Sequence, residues 1–233
     1  MLSIVVPFYN EDKNIPLVLE EFKKLSATYS EFELLCVNDG SKDETASIFK
    51  KLDEARAYPF AKFISYSPNQ GYGNAIMTGV GAAAGEVIAW THSDMQTHPA
   101  DIFRALEVFK RANNLKLIVK GKRVNRALPQ VLFGYGMAVI ASAVLGKIFT
   151  EINAQPKLFH KDFVKFLDNA PKDFSLDLFM LYRAKQHGYE IVDIKVRFPE
   201  RVHGQSSWAF SWQSKLKTIN RTIKYIWRLK KEV

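Results

Sequence analysis

Glu86-Val87-Ile88-Ala89-Trp90-Thr91 runs directly into His92-Ser93-Asp94-Met95-Gln96-Thr97-His98-Pro99. The apolar part has the length and composition of a buried strand, and Pro99 opens a helix whose spacing reaches about residue 111. The polar residues between them therefore lie at the carboxyl end of a strand. The same unit recurs upstream. Residues 2–6, 32–37 and 62–66 are strand-like, and residues 11–26, the stretch after Ser41 and residues 73–84 are helix-like. In the first helix Ile15, Val18, Leu19, Phe22 and Leu25 form one apolar stripe, and residues 115–119 supply a further strand. Alternation with such short connections predicts a parallel sheet covered by helices. Ligands of such sheets bind beyond the carboxyl ends of the strands, which puts Asp39 and Asp94 at the centre of any chemistry.

The rest of the chain extends the same α/β domain. It reads as an apolar helix over about 128–148, a helix over 176–187, a strand over 191–196 and a final helix from about residue 210. The expected organisation is one domain over 1–207, divided near residue 125 into two halves, followed by a basic helix over 208–233. At 233 residues with 47% apolar content the chain can bury one large core, and disordered or fibrous classes are excluded. The single cysteine, Cys36, sits inside an apolar run, so no internal disulfide is expected and a cytoplasmic, reducing setting fits. Met1-Leu2-Ser3-Ile4-Val5-Val6 has no basic head and reads as a first strand, not a secretory signal. The charge-free stretch 131–146 carries three glycines and is shorter than a usual bilayer span. The net charge is +9, and residues 211–233 hold seven Lys or Arg against one Glu. Such an end suits nucleic acid, anionic lipid or simple solubility.

Each strand-end cluster admits two readings. Asn10 and Glu11 serve either as a helix cap and a dipole partner or, with Tyr9, as contacts to a flat ligand ring. Ser41 with Glu44 fits a capping box, but a cap does not account for Asp39, whose carboxylate suits a ribose hydroxyl or a base N–H. Gly71 and Gly73 lack the third glycine of the dinucleotide fingerprint and permit a tight turn with close backbone approach. His92, Asp94, Gln96 and His98 alternate, so an extended segment would turn them to one side. Asp94 is then a candidate ligand for a divalent ion completed by substrate phosphates, or a partner for loop amides.

Pro7-Phe8-Tyr9-Asn10-Glu11, Asn38-Asp39-Gly40-Ser41-x-Asp43, Asn69-x-Gly71-x-Gly73 and Asp94-Met95-Gln96-x-x-Pro99 together resemble family 2 glycosyltransferases of the GT-A fold. The nearest branch in appearance is the dolichyl- or polyprenyl-phosphate sugar synthases. The resemblance covers about the first 125 residues, with sparser matches at Asp177 and at Arg201-x-x-Gly204-x-Ser206. It implies inverting transfer of a sugar from a nucleoside diphosphate to a nucleophilic acceptor, polyprenyl phosphate first and a saccharide hydroxyl second. Carried onto this chain, Pro7, Tyr9, Glu11, Asp39 and Gly71 surround the nucleotide. Asp94 holds Mg²⁺ or Mn²⁺ with Gln96 nearby, and Arg123, Arg201 and Ser206 meet phosphate. Asp177 resembles the acid that deprotonates a hydroxyl acceptor; a lipid phosphate, already ionised, needs no such base.

The chain also departs from the family pattern. His92 replaces the first acid of Asp-x-Asp, Asn38 the first acid of Asp-Asp-Gly-Ser, and Ser207 the lysine expected after Ser206. Where many family members have Asp-x-x-x-Gly-Phe in the acceptor region, this chain has Asn153-Ala154-Gln155-Pro156-Lys157-Leu158-Phe159. In the last helix Leu216, Ile219, Ile223, Ile226 and Trp227 share a sector opposite Lys217, Arg221, Lys224, Arg228 and Lys231. That pattern, with Trp208, predicts an interfacial helix and a peripheral position on a membrane, with a helix packed on the body as the alternative. Among rival classes, a nucleotidylyltransferase would need a Gly- and Arg-rich phosphate loop near the N-terminus. A basic nucleic-acid or lipid-binding module would leave the strand-end motifs unexplained.

Overall fold

The computed structural model describes residues 1–126, 128–203 and 212–231. Its elements are β1 (Leu2–Phe8), α1 (Ile15–Ser26), β2 (Phe32–Asp39), α2 (Thr45–Glu54), β3 (Ala61–Tyr66), α3 (Tyr72–Ala82), β4 (Val87–Trp90), α4 (Ala100–Ala112), β5 (Leu117–Val124), α5 (Leu128–Leu145), β6 (Lys157–His160), a 3₁₀ helix (Lys161–Phe166), α6 (Leu176–Gln186), β7 (Glu190–Arg197) and α7 (Trp212–Lys231). They build a seven-stranded sheet in the order β3-β2-β1-β4-β6-β5-β7. β1, β2, β3 and β4 pair in parallel, as do β5 and β7; β6 is antiparallel to β4 and β5. The sheet is thus mixed and mostly parallel, with helices on both faces.

Strand alternation sends successive side chains into separate cores. Ile4, Val6, Phe8, Leu34 and Cys36 pack with Val18, Phe22, Phe49 and Phe103 on one face. Val5, Leu35, Val37 and Trp90 pack with Ile76, Leu176 and Met180 on the other. Because both faces are covered, these strands read as unbroken apolar runs. Burial also pushes the Cys36 thiol far above its ordinary range, so it is an inert core group.

At the amino end of the sheet, Glu33 accepts from Ser3 Oγ (2.6 Å), the Ala84 amide (2.7 Å) and Lys62 Nζ (2.6 Å). Burial pushes the Glu33 carboxyl up, but bonds from Lys62, Ser3 and Ala84 outweigh it and hold the group below its usual 4.5.

Two features differ from expectation. β6 is invisible to the strand pattern, because it has four residues, follows Pro156 and begins with a lysine. It nevertheless sends Leu158 and Phe159 into opposite cores. The last helix buries Tyr225, Ile226 and Leu229 in the body (7%, 0% and 2% exposed) and lies against α5. Of the expected interfacial sector, Ile226 is therefore enclosed and Trp227 is exposed. Trp208 lies outside the described residues, as does the side chain of Leu216.

Candidate active site

The carboxyl ends of β1 and β2 are laced together by short side chains. The Asn10 amide donates to Ser41 Oγ (3.0 Å), the Lys42 amide to Asn10 Oδ1 (2.8 Å) and the Asp12 amide to Asp43 Oδ2 (3.0 Å). This corrects both capping expectations: Asn10 (φ +55°) and Ser41 bind each other's loops, and neither caps a helix. Pro7 lies within β1, and Tyr9, 43% exposed, stands at the rim where a planar ring can stack.

Asp39 ends β2 and is buried. Its Oδ1 accepts from the Gln70 amide (2.8 Å), and Oδ2 accepts from the Gly71 amide (2.9 Å) and Asn69 Nδ2 (2.8 Å). The carboxylate expected to meet a nucleoside is thus engaged in holding the β3–α3 turn. The glycines of that turn allow the expected close approach. Gly71 has φ +104°, and a Cβ on Gly73 would lie 2.1 Å from the Pro171 carbonyl oxygen. The turn therefore rests directly on segment 171–173 of the second half.

The segment after β4 is not extended. Met95 has φ +59° and turns the chain, so His92, Asp94, Gln96 and His98 do not share one side. His98 pairs with Glu21 (3.4 Å), away from the cleft, and His92 lies 5.6 Å from the Tyr72 ring. Burial pushes the His92 imidazole down, against the pull of Asp94 and Asp177. Asp94 is buried; Oδ1 accepts from the Gln96 amide (3.1 Å), and Oδ2 faces Arg201 Nη2 at 2.9 Å. Arg201 also reaches Glu11 (3.9 Å) and donates through Nε to Gln96 Oε1 (3.2 Å), while Gln96 Nε2 donates to the Pro199 carbonyl (3.0 Å). Burial pushes the Glu11 carboxyl up; Asn14 and Arg201 oppose it, and Asp94 and Asp43 add to it. Glu11, Asp94, Gln96 and Arg201 are therefore one cluster. Gln96 has both ends of its side chain occupied and is a strut between Arg201 and segment 199–201, not an open metal ligand.

The second half contributes an enclosed network. Asp177 and Lys157 are both fully buried, with Lys157 Nζ 2.7 Å from Asp177 Oδ1 and 3.1 Å from the Ala154 carbonyl. Trp90 Nε1 (3.4 Å) and Gln155 Nε2 (3.2 Å) also donate to Asp177. Burial pushes the Lys157 ammonium down to about 8, against the pull of Asp177. Sequence reasoning missed Lys157 as a member of this network. The signal was a lysine inside an apolar strand, where the resembled family has a glycine. Just before α6, Asp173 accepts from the Ser175 amide (2.9 Å) and pairs with Arg221 (3.3 Å). Arg123 pairs with Glu151 (2.8 Å), lies over the Phe198 ring, and shares Glu151 with Arg126. Its guanidinium is thus already matched to a carboxylate. Ser206 lies outside the described residues.

The cluster fits a divalent ion in a sparse way. Asp94 offers a hard oxygen already turned to a cation, the Arg201 guanidinium. Mg²⁺ sites of this kind take one or two carboxylates and draw their other ligands from substrate phosphates and water. Consistently, no group of three His, Cys, Asp or Glu residues able to cage a metal occurs among the described residues.

Comparison with known proteins identifies the class. Residues 3–128 match the profile of Glycosyl transferase family 2, and the chain belongs to that family. Among curated relatives, a dolichyl-phosphate beta-glucosyltransferase of Trichomonas vaginalis is 29% identical over 219 residues, 85% of this chain and 66% of that protein. An undecaprenyl-phosphate 4-deoxy-4-formamido-L-arabinose transferase of Photorhabdus laumondii is 26% identical, across 90% of this chain and 63% of that protein. The chain thus spans a little under two thirds of the length of such relatives. The fold matches glucosyl-3-phosphoglycerate synthase from Mycobacterium tuberculosis, crystallised with Mn²⁺, UDP-glucose and phosphoglyceric acid. The TM-score is 0.73, over 99% of this chain and 79% of that one, at 15% identity.

Proposed function

We propose that the chain is a metal-dependent, inverting glycosyltransferase that moves a sugar from a nucleoside diphosphate to polyprenyl phosphate. The observation that carries this reading is the Glu11–Asp94–Arg201 cluster at the carboxyl ends of β1 and β4, where a family 2 fold binds its donor. Tyr9 stacks on the base at the rim. Asp39 acts through the turn it holds, fixing the Gly71 and Gly73 backbone beside the nucleotide. Asp94 would hold Mg²⁺ or Mn²⁺, and the ion, when bound, would offset charge on the departing diphosphate. Arg201 turns from Asp94 to that diphosphate, for which its planar fork is suited. In the transfer, an acceptor phosphate oxygen bonds to the anomeric carbon as the bond to the diphosphate breaks, and the electron pair leaves with the nucleotide.

Two observations favour a lipid phosphate over a saccharide hydroxyl. Relatives of this chain carry dolichyl-phosphate and undecaprenyl-phosphate in their names. Asp177, the candidate base for a hydroxyl, has no exposed surface and is paired with Lys157. An ionised phosphate needs no base, so Asp177 and Lys157 shape the floor of the site. An acceptor of this kind resides in a bilayer, so the chain works at a membrane surface. No described helix is long and apolar enough to cross one.

The test is a donor screen with Mg²⁺ or Mn²⁺, reading nucleotide release with and without polyprenyl phosphate. Sugar label should enter the lipid fraction only when polyprenyl phosphate and metal are both present. Label entering a saccharide instead, or full turnover in chelator, overturns the reading.

A further inference from the structure

Helix α5 contains no charged residue along Leu128–Leu145, yet it is not enclosed. Leu132, Tyr135 and Val139 are 68%, 69% and 46% exposed. Their spacing of three and four residues lines them on one helix face, turned away from Ala138 and Ala141, which are buried. Ile148, just beyond the helix, is exposed as well. A contiguous apolar stripe of this kind on a protein surface marks a contact site.

The neighbouring helix says what that contact is. α7 lies against α5 and carries seven Lys or Arg and no acid along Trp212–Lys231. Its inner side is the buried Tyr225, Ile226 and Leu229; its outer side exposes Trp227 among Lys224, Arg228 and Lys231 around a shallow hollow of about 310 Å³. Lys230 Nζ stands 5.5 Å over the Trp227 ring. An apolar stripe beside an acid-free row of cations and an amphipathic indole suits an anionic lipid surface: the stripe enters the acyl boundary and the cations meet headgroup phosphates. A second copy of this chain fits poorly, because a two-fold contact through this face brings two such cationic helices together.

We propose that the α5 stripe and the outer side of α7 together form a face that docks the protein on an anionic bilayer. The inference deepens the polyprenyl-phosphate reading and rests on it, since that acceptor must be met at a membrane.

Vesicle flotation of the full chain tests it. The protein should float with vesicles of phosphatidylcholine mixed with phosphatidylglycerol and only weakly with phosphatidylcholine alone. Leu132→Glu/Val139→Glu should cut the bound fraction at least about tenfold. Lys224→Gln/Lys231→Gln should cut it by at least about tenfold, at roughly fivefold per lysine. Both doubles should keep the wild-type circular dichroism melt and wild-type turnover on detergent-dispersed polyprenyl phosphate. Wild-type flotation by either double overturns the proposal, as does a solution dimer that Leu132→Glu dissociates. If flotation behaves as expected while no form glycosylates polyprenyl phosphate in detergent, the docking face stands and the acceptor reading falls.

Discussion

The acids that line the cleft are satisfied differently in the two halves of the molecule. In the first half, the acids at or after the strand ends take backbone amides: Asp39 from Gln70 and Gly71, Asp43 from Asp12 and Thr45, and Asp94 from Gln96, with Arg201 on its other oxygen. In the second half, acids are matched by cations: Asp177 by Lys157, Glu151 by Arg123 and Arg126, Asp193 by Lys120 (2.8 Å). Amide donors stabilise a carboxylate without cancelling its charge, whereas an ion pair cancels it. The first rim thus meets Asp39 and Asp43 with neutral donors and leaves Asp94 to a borrowed cation, whereas the second half closes these acids with cations of its own. Arg201 is the one described group that crosses from the second half onto the Asp94 carboxylate. The contrast teaches that a charged residue near a cleft is informative chiefly through what satisfies it.

Three substitutions bear on that contrast, in descending order of effect. Lys157→Met leaves Asp177 enclosed without its cation and should cost about 3–5 kcal/mol in urea unfolding, whereas Lys157→Met/Asp177→Leu should recover most of the loss. A single substitution costing under about 1 kcal/mol would mean that the second rim is not closed by its ion pair. Asp94→Ala should lower metal-dependent nucleotide release about 10²–10³-fold with little change in the unfolding midpoint. A variant that unfolds easily but keeps its turnover would invert the distinction between a charge held for chemistry and one held for packing. The smallest effect is expected for Glu33→Gln, at about 1 kcal/mol near neutral pH. Because the folded Glu33 carboxyl titrates below 4.5, its stabilisation is present above that value and lost as pH falls through the lower folded pKa. Wild-type and Glu33→Gln urea curves should thus converge in acid; a constant gap would remove Glu33 from the set of ionised anchors.

Much of the first half was legible because local rules and tertiary burial agree there. Buried parallel strands read as apolar runs, α1 as a stripe from Ile15 to Phe22, and Asp39 and Asp94 as polar ends. What failed depended on partners distant in sequence. Ser41 and Glu44 satisfy a capping pattern, but Ser41 is claimed by the Asn10 amide from another strand end. Gln96 looked like a ligand until Arg201 and Pro199 occupied it. The alternation from His92 to His98 assumed an extended backbone that Met95 breaks. The apolar sector of the last helix could not reveal whether protein or lipid would cover it; Ile226 is covered by protein, and the open apolar face is on α5.

Strand β6 has a consequence for the order in which the molecule can assemble. Among the described residues β5 pairs only with β6 and β7, both of which follow it in sequence, and β6 wedges between β4 and β5. On a ribosome, β1–β4 can form their ladders as they emerge, while β5 has no earlier strand to join. The chain is thus committed to a waiting period in which Leu117–Val124 is made but unzipped, and the rim of β4 stays open. Only the arrival of Lys157–His160 stitches the two flaps, and the lysine later sealed beneath the cleft is the first residue of the stitch.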